Sequence, residues 1–458
     1  MRASALRRPG KRLLATAAVA TTVAAGLAGC SSSGGGGGGG TQTITVAVTA
    51  NPLMTTIEKL TAGGFEANHK NIKVKFVTLD ENTERTNVEK DVAAKGGQYD
   101  VVMIGPNDIA AWAKNGWIDD LTGDATKDAS YDVNDLLPPI KQALSSDGKL
   151  YAVPFYGESS FLMYRKDMLK AAGVTMPANP TWDQVAAIAK QLNDPGKGVA
   201  GICLRGKTGW GENLAAFDTV VNTFGGQWFD TDWNAKLNSP AFADAANFYV
   251  NLIKDAGEKG AGNDSFNECL NIMEQSKAAM WYDATVAAST IDAPGSPIQG
   301  KLGYAAAPVE KTKSSGWLWS WALALESASK HKDAAWQFMD WATSKQYIAY
   351  DAAKNGWASV PPGTRTSTYE NPKYQAAAKS FANATLQEIN SVNVKQPGVD
   401  PQPVPGVQYV GIPEFEDFGQ QVSAELTKAI VGQESVSDFL SKSQSIAQDA
   451  VKQAGYKK

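Results

Sequence analysis

Histidine and cysteine are scarce in this chain, with two and three copies in 458 residues. His69 lies beside Lys70, and His331 lies between Lys330 and Lys332, contexts that place both at the surface. No His/Cys cluster has metal-ligand spacing, and the acidic run at 80–84 lacks the glycine and alternation of a calcium loop. No metal and no cofactor are expected. A Gly-x-Ser-x-Gly elbow, a phosphate loop and internal repeats are also missing, which removes the signatures of common hydrolases, nucleotide enzymes and solenoids. Basic charge is short as well: 43 Lys and Arg stand against 47 Asp and Glu. Without a basic stripe there is nothing to neutralise phosphates, so nucleic acid is excluded as a partner. Past the first thirty residues, no apolar run approaches the ~20 residues needed to cross a bilayer.

What is present begins at the N-terminus. Arg2, Arg7, Arg8, Lys11 and Arg12 precede an Ala-rich apolar run, Leu13 to Ala28, too short to span a membrane stably. That run ends in Leu27-Ala28-Gly29-Cys30, which resembles the bacterial lipobox. The resemblance implies a signal peptide over 1–29, cut just before a cysteine whose thiol carries diacylglycerol. Residues 30–41, with Ser31 to Ser33 and Gly34 to Gly40, then form a flexible tether. A secretory signal with an incidental cysteine is the alternative. The expected location is the extracytoplasmic face of the cell membrane, with the lipid as the only anchor. Removing 1–29 takes away five basic residues and no acidic one, so the balance falls from −4 to −9. Cys203 and Cys269 remain as an even pair in an oxidising compartment; a disulfide is expected, with two separate buried thiols as the alternative.

The 429 residues from Cys30 onward exceed one comfortable core and call for two or three lobes. Thr43 to Thr49 alternates as a strand, and Asn51-Pro52 breaks it before a helical stretch from Met54 to Phe65. Ile72 to Val77 is a second strand. Helical spacing of Val88, Val92 and Ala93 leads to the apolar run Tyr99 to Ile104, which ends at Gly105-Pro106-Asn107. Alternating strands and helices predict an α/β protein with a parallel sheet covered on both faces. Ligands bind outside the carboxyl ends of such strands, so the loops at Asn51, Asp80-Glu81-Asn82 and Pro106-Asn107 face the expected site. Thr181 to Gln184 fits a capping box opening a helix through Leu192. Phe242 to Ala256 is a second amphipathic helix stopped by Gly257, Val436 to Val451 is a last one, and the Pro-rich 396–406 reads as a loop.

Met163-Tyr164-Arg165-Lys166-Asp167-Met168-Leu169-Lys170-Ala171-Ala172-Gly173, followed by Pro180-Thr181-Trp182-Asp183, resembles the signature of extracellular solute-binding proteins of carbohydrate ABC importers, of the maltose-binding-protein-like superfamily. Met273 to Trp281 resembles a second signature, with Ser276 where glycine is usual. More narrowly, Lys95 to Val101, Pro154 to Ser160, Ile202 to Lys207, Gly209-Trp210-Gly211-Glu212 and Val360 to Arg365 resemble the sorbitol/mannitol-binding branch. The resemblance spans nearly all of 43–458. It implies a two-lobed periplasmic-binding-protein fold, each lobe a mixed sheet flanked by helices, with the ligand cleft at the hinge. Crossings are expected near 156–160, 316–319 and 357–361, giving lobe one as 42–156 plus 318–356 and lobe two as 160–315 plus 360–458. The implied function is a monomeric receptor that binds a sorbitol- or mannitol-like polyol and, by hinge closure, delivers it to two permease subunits and their ATPase.

Thirteen tryptophans suit the C–H face of a sugar or extended polyol, and Trp210, Trp228, Trp281, Trp317, Trp319 and Trp357 lie beside glycine or polar residues. Trp112, Trp117, Trp336 and Trp341 lie in helical patterns and read as core. Hydroxyls need paired donors and acceptors, for which Glu158, Arg205 and Asp283, with Asn51, Glu81 and Asn107 from the first lobe, are the expected ligand contacts, and Trp228, Trp319 and Trp357 the expected stacking faces. A monosaccharide or short oligosaccharide is the alternative ligand. A lipid-anchored glycoside hydrolase would also gather carboxylates and tryptophans around a sugar. The reading adopted is a binding protein, with no catalytic residue.

Overall fold

The computed structural model describes residues 40–457; the signal segment, Cys30 and most of the glycine tether lie outside the described residues. The principal strands are β1 (Gln42–Thr49), β2 (Ile72–Leu79), β3 (Val101–Ile104), β4 (Val153–Glu158), β5 (Ser160–Arg165), β6 (Met280–Ala284), β7 (Leu302–Ala305) and β8 (Trp319–Leu325). The helices used below are α1 (Pro52–Thr61), α2 (Glu81–Ala94), α3 (Pro106–Asn115), α4 (Trp182–Leu192), α5 (Asn213–Phe224), α6 (Pro240–Ala256), α7 (Phe266–Glu274), α8 (Lys332–Thr343), α9 (Phe415–Ile430) and α10 (Val436–Gln453).

β3 and β8 are buried at every position, as strands covered on both faces must be. They lie inside a five-stranded sheet of order β2-β1-β3-β8-β4. β1 runs parallel to β2 from Gln42↔Ile72 to Thr49↔Leu79, and parallel to β3. β8 enters antiparallel, pairing Leu323 with Met103 on one side and Trp319 with Glu158 on the other. The sheet is therefore mixed, where alternation alone predicts parallel pairing. A second, three-stranded antiparallel sheet has the order β6-β5-β7.

Only Ser159 separates the two sheets at the first passage of the chain: Glu158 pairs in one, Ser160 in the other. The return passage is held by Ser160, whose Oγ accepts the Trp317 N–H at 3.2 Å. The third passage runs against the first, since Gly157 N–H donates to Pro362 O, and any Cβ on Gly157 or Gly363 would overlap the other's backbone. Thr364 to Ser367 stays with Asp135 and Leu137, so the chain keeps to elements of the first sheet a few residues past the expected crossing at 357–361.

Caps explain the helix starts. Asn51 caps α1, Asp80 caps α2 and Asp108 caps the Gly105 N–H of α3, so three helices begin at the carboxyl ends of β1, β2 and β3. Glu81, expected in a loop, is the first residue of α2. Thr181 and Gln184 form the reciprocal capping box of α4. α6 ends at Gly257 with a negative φ; glycine is needed there because a Cβ would crowd the Ile253 carbonyl. Cys203 and Cys269 are joined by a disulfide.

Ser276 explains why its motif usually carries glycine. Its φ is 60°, its N–H reaches Met273 O, and the next N–H, of Lys277, reaches Ile272 O, a Schellman closure of α7 that demands a left-handed residue. Non-glycine residues bear about 1 kcal/mol of strain there. Ser276→Gly is expected to raise the melting temperature, by about 1 kcal/mol of stability, and a lower melting temperature would refute the strain.

Candidate functional site

Two adjoining cavities lie between the elements of the two sheets, of about 160 and about 30 Å³. Glu81, Glu158, Arg205 and Trp321 wall both. Each side chain is placed by an element already described. Glu81 opens α2; Glu158 ends β4; Trp319 and Trp321 share one face of β8 because side chains alternate along a strand.

Arg205 is buried and makes a forked pair with Asp283, Nε to Oδ2 at 2.8 Å and Nη2 to Oδ1 at 2.6 Å. Its Nη1 donates to Gly211 O at 3.0 Å and lies 3.5 Å from Glu212. Burial works against its charge, but Asp283, Glu212 and Glu81 outweigh it and raise its pKa, so the guanidinium stays a cation. Asp283 also accepts from Trp281 Nε1 at 3.0 Å and Ala284 N–H at 2.7 Å and lines neither cavity. It is thus a holder of Arg205 rather than the expected ligand contact, because its oxygens are already taken.

Burial pushes Glu158 up to about 8; Arg205 opposes this while Asp283 and Glu81 add to it. Burial and Glu81 likewise bring Glu212 to about 7 against the pull of Arg205 and Lys207. Trp317 and Gln408 wall the smaller cavity; the Trp317 indole N–H lies toward the Glu158 carboxyl group and favours its charge, while Gln408 Oε1 is buried without a hydrogen-bond partner among the described residues. Arg85 lies over three indoles, 4.2 Å from the centre of Trp210, 4.5 Å from Trp321 and 5.1 Å from Trp319, and bonds Glu81 at 2.9 Å.

The other expected contacts divide. Asn51 borders the larger cavity, but its Oδ1 caps α1 and its Nδ2 reaches the Tyr156 hydroxyl at 3.2 Å. Asn107 is turned away: its Nδ2 donates to Asp108 and to Glu416, each at 2.7 Å. Trp228 is core, its indole donating to Asp218 and its ring packed on Phe415 and Phe418. Trp357 lies in a short 3₁₀ turn and borders neither cavity. Arg85, Trp321, Tyr156 and Gln408 line the site without having been singled out. The Trp319-Ser320-Trp321 alternation signals Trp321, since both tryptophans must share a face of one strand.

The two sides touch around the cavities. Lys207 pairs with Asp80 at 2.7 Å, Asn82 donates to Thr208 O and Asn267 donates to Ala50 O. Gly209-Trp210-Gly211 lies on α2, where a Cβ at Gly211 would overlap the Glu81 carboxylate and one at Gly209 would come within 2.5 Å of Asn82 Oδ1.

Residues 47–349 match the family described as bacterial extracellular solute-binding protein. The chain is 42% identical to a mannitol-binding protein of Pseudomonas aeruginosa, over 91% of this chain and 95% of that one. Among solved structures it is similar to an ABC transporter solute-binding protein of Agrobacterium vitis with bound D-mannitol: TM-score 0.89, 47% identity, covering 91% of this chain and 100% of that one. A solute-binding protein of Agrobacterium radiobacter in complex with ribitol gives a TM-score of 0.79 at 26% identity, covering 89% and 98%.

Glu81 cannot retreat from a side chain at position 211 without loosening its bonds to Arg85. Gly211→Val is therefore expected to hold the two sides apart. X-ray scattering should give a larger radius of gyration with an unchanged far-UV spectrum, and an unaltered radius would show that the contact does not set their spacing.

Proposed function

As the chain belongs to the bacterial extracellular solute-binding protein family, we propose that it captures a small linear polyol, mannitol or a close relative, for an ABC importer. The observation that carries this reading is a small cavity walled by a donor-bearing residue, Trp317, and an acceptor-bearing one, Gln408, together with Glu158, Arg205 and three indoles. A hydroxyl is the group that can give to one and take from the other. Arg205 donates, Glu158, Glu81 and Gln408 accept, Trp317 donates, and Trp210, Trp319 and Trp321 cover the C–H face. The cavity volumes fall well below the ~300–1,000 Å³ of drug-sized sites, which favours a six-carbon or smaller solute over an oligosaccharide. The polyols named for the relatives agree with that size.

The lobes of this reading are 42–156 plus 318–356 and 160–315 plus 360–458, with 362–367 riding on the first, and they part to release the solute. Cys30 carries the lipid that holds the protein at the outer face of the membrane. The protein works as a monomer, hands the solute to permease subunits powered by an ATPase, and performs no chemistry on it. Supporting the last point, Glu81, Glu212 and Asp80 are engaged with Arg85, Arg205 and Lys207, which leaves Glu158 without a second free carboxylate beside it on the cavity wall.

Titration calorimetry and melting curves with D-mannitol, sorbitol, ribitol, glucose and maltose test the proposal. A polyol at 100 times its Kd should add about 2.7 kcal/mol of stability and be recovered unchanged. Stabilisation by glucose or maltose alone would replace the ligand, and consumption of a sugar would replace the function. Trp317→Phe should weaken D-mannitol binding by about 1 kcal/mol, roughly fivefold, by removing one donor. Unchanged affinity would take Trp317 out of the site.

A further inference from the structure

Away from the solute, the two lobes meet at a second cluster, and it is acidic. α9 brings Glu416 to the start of α3, where the single amide nitrogen of Asn107 donates to Glu416 Oε1 and Asp108 Oδ1, each at 2.7 Å. Asp108 Oδ2 accepts the Gly105 N–H at 3.0 Å. Glu84 and Arg85 of α2 line the same space, a cavity of about 10 Å³ closed by Met103 and Trp112 and large enough for one water. Glu84 is 1% exposed. Glu81 and Glu89 also face the cluster from α2, Asp417 from α9 itself, and Tyr409 lies near Asp108. Arg85 is the cation facing it and is shared with Glu81; Lys90 reaches only Glu89 at the rim.

Two carboxylates that share one amide out of water cannot both stay ionised. We propose that the protein takes up one proton when it closes on its solute, and that this proton is held between Asp108 and Glu416 across the lobe interface. The proposal rests on the hinged-receptor reading: when the lobes part, Glu416 leaves with α9, Asp108 stays with α3, and each is hydrated as a separate carboxylate. Burial first, and Asp108 next, raise Glu416 well above the usual carboxylate range; burial also raises Asp108, against the pull of Arg85. A group raised in the closed form favours closure fully below the ordinary carboxylate pKa near 4, and that preference is lost as pH rises through the closed-form value. Solute affinity should therefore fall from pH 5 toward pH 8, with a limiting slope of tenfold per pH unit for one proton.

Glu158 and Glu212 border the solute, and Glu84, pushed up to about 8 by burial, borders the same cavity as the pair; Glu416→Gln, which fixes a neutral group, is therefore read together with Asp108→Asn. D-mannitol affinity is measured from pH 5 to pH 8, with proton uptake read by calorimetry in two buffers of different ionisation enthalpy. The wild type should weaken at least tenfold over this range. Glu416→Gln should bind with about one proton fewer taken up and a correspondingly flatter profile, and Asp108→Asn, which keeps a capping side chain, should do the same. A substitution that only disturbs packing shifts affinity equally at every pH, and parallel profiles with equal proton counts in both variants would overturn the proposal. If D-mannitol does not bind, the polyol reading fails, and solute-free X-ray scattering decides this one. A smaller radius of gyration at pH 5 than at pH 8 in the wild type but not in Glu416→Gln supports it; identical behaviour overturns it.

Discussion

A guanidinium taken out of water cannot shed its proton, so Arg205 must be met by fixed negative charge, and Asp283 meets it through both ends of the fork. Much of the second lobe is organised around that requirement. Asp283 sits on β6 opposite Phe161 of β5, so the guanidinium inherits its position from strand register. The Arg205 carbonyl accepts from Tyr249 of α6 at 2.8 Å, and Cys203, two residues earlier, is bonded to Cys269 of α7. That helix also carries Phe266 and Asn267 at the cavity wall. Sheet, disulfide and two helices thus converge on one side chain. Removing either charge alone strands the other at a cost of roughly 3–5 kcal/mol, so substitutions at Arg205 or Asp283 test folding before they test binding.

Glycine governs how near the lobes come, and charge governs how firmly they hold. The loop at Gly209 to Gly211 lies on α2 because it offers backbone where any side chain would meet Asn82 or Glu81. Trp210 between the two glycines then reaches the Arg85 guanidinium together with Trp319 and Trp321, so indoles from both lobes cover one cation.

The three turns at the strand ends of the first lobe were legible because apolar runs stop there at Asn51, Asp80 and Gly105-Pro106; that Asp80 and Asp108 cap helices at those points came from the structure. Ser276 was legible as a departure, and its left-handed φ supplies the reason. The place of Glu158 and Arg205 on the cavity wall was legible from motif and chemistry together, that of Glu81 from the end of a strand, and that of Trp319 from its polar neighbour. What could not be read is which face of the site a residue presents. Asp283 and Arg205 look alike as candidates until pairing shows that one is consumed in holding the other. Trp228, beside Gln227, reads from sequence as a loop tryptophan like Trp210, yet Asp218 and two phenylalanines draw it into the core. Arg85 sits on a helix whose polar residues surround it on every side, so no amphipathic pattern marks it as buried.

β8 has a consequence for how the molecule comes into being. It lies inside the first sheet, between β3, which ends at Ile104, and the edge strand β4, which ends at Glu158, yet it is itself residues Trp319–Leu325. Everything from β5 to β7 must be synthesised before the gap between β3 and β4 can be filled. The first lobe therefore cannot finish folding as it emerges from the ribosome, and β4 remains an unpaired edge until β8 arrives. Pairing over such a long stretch of chain is slow, because loop closure must precede the contacts that reward it. A chain ordered this way stays loose through most of its own synthesis, the condition under which a polypeptide can still be threaded across a membrane.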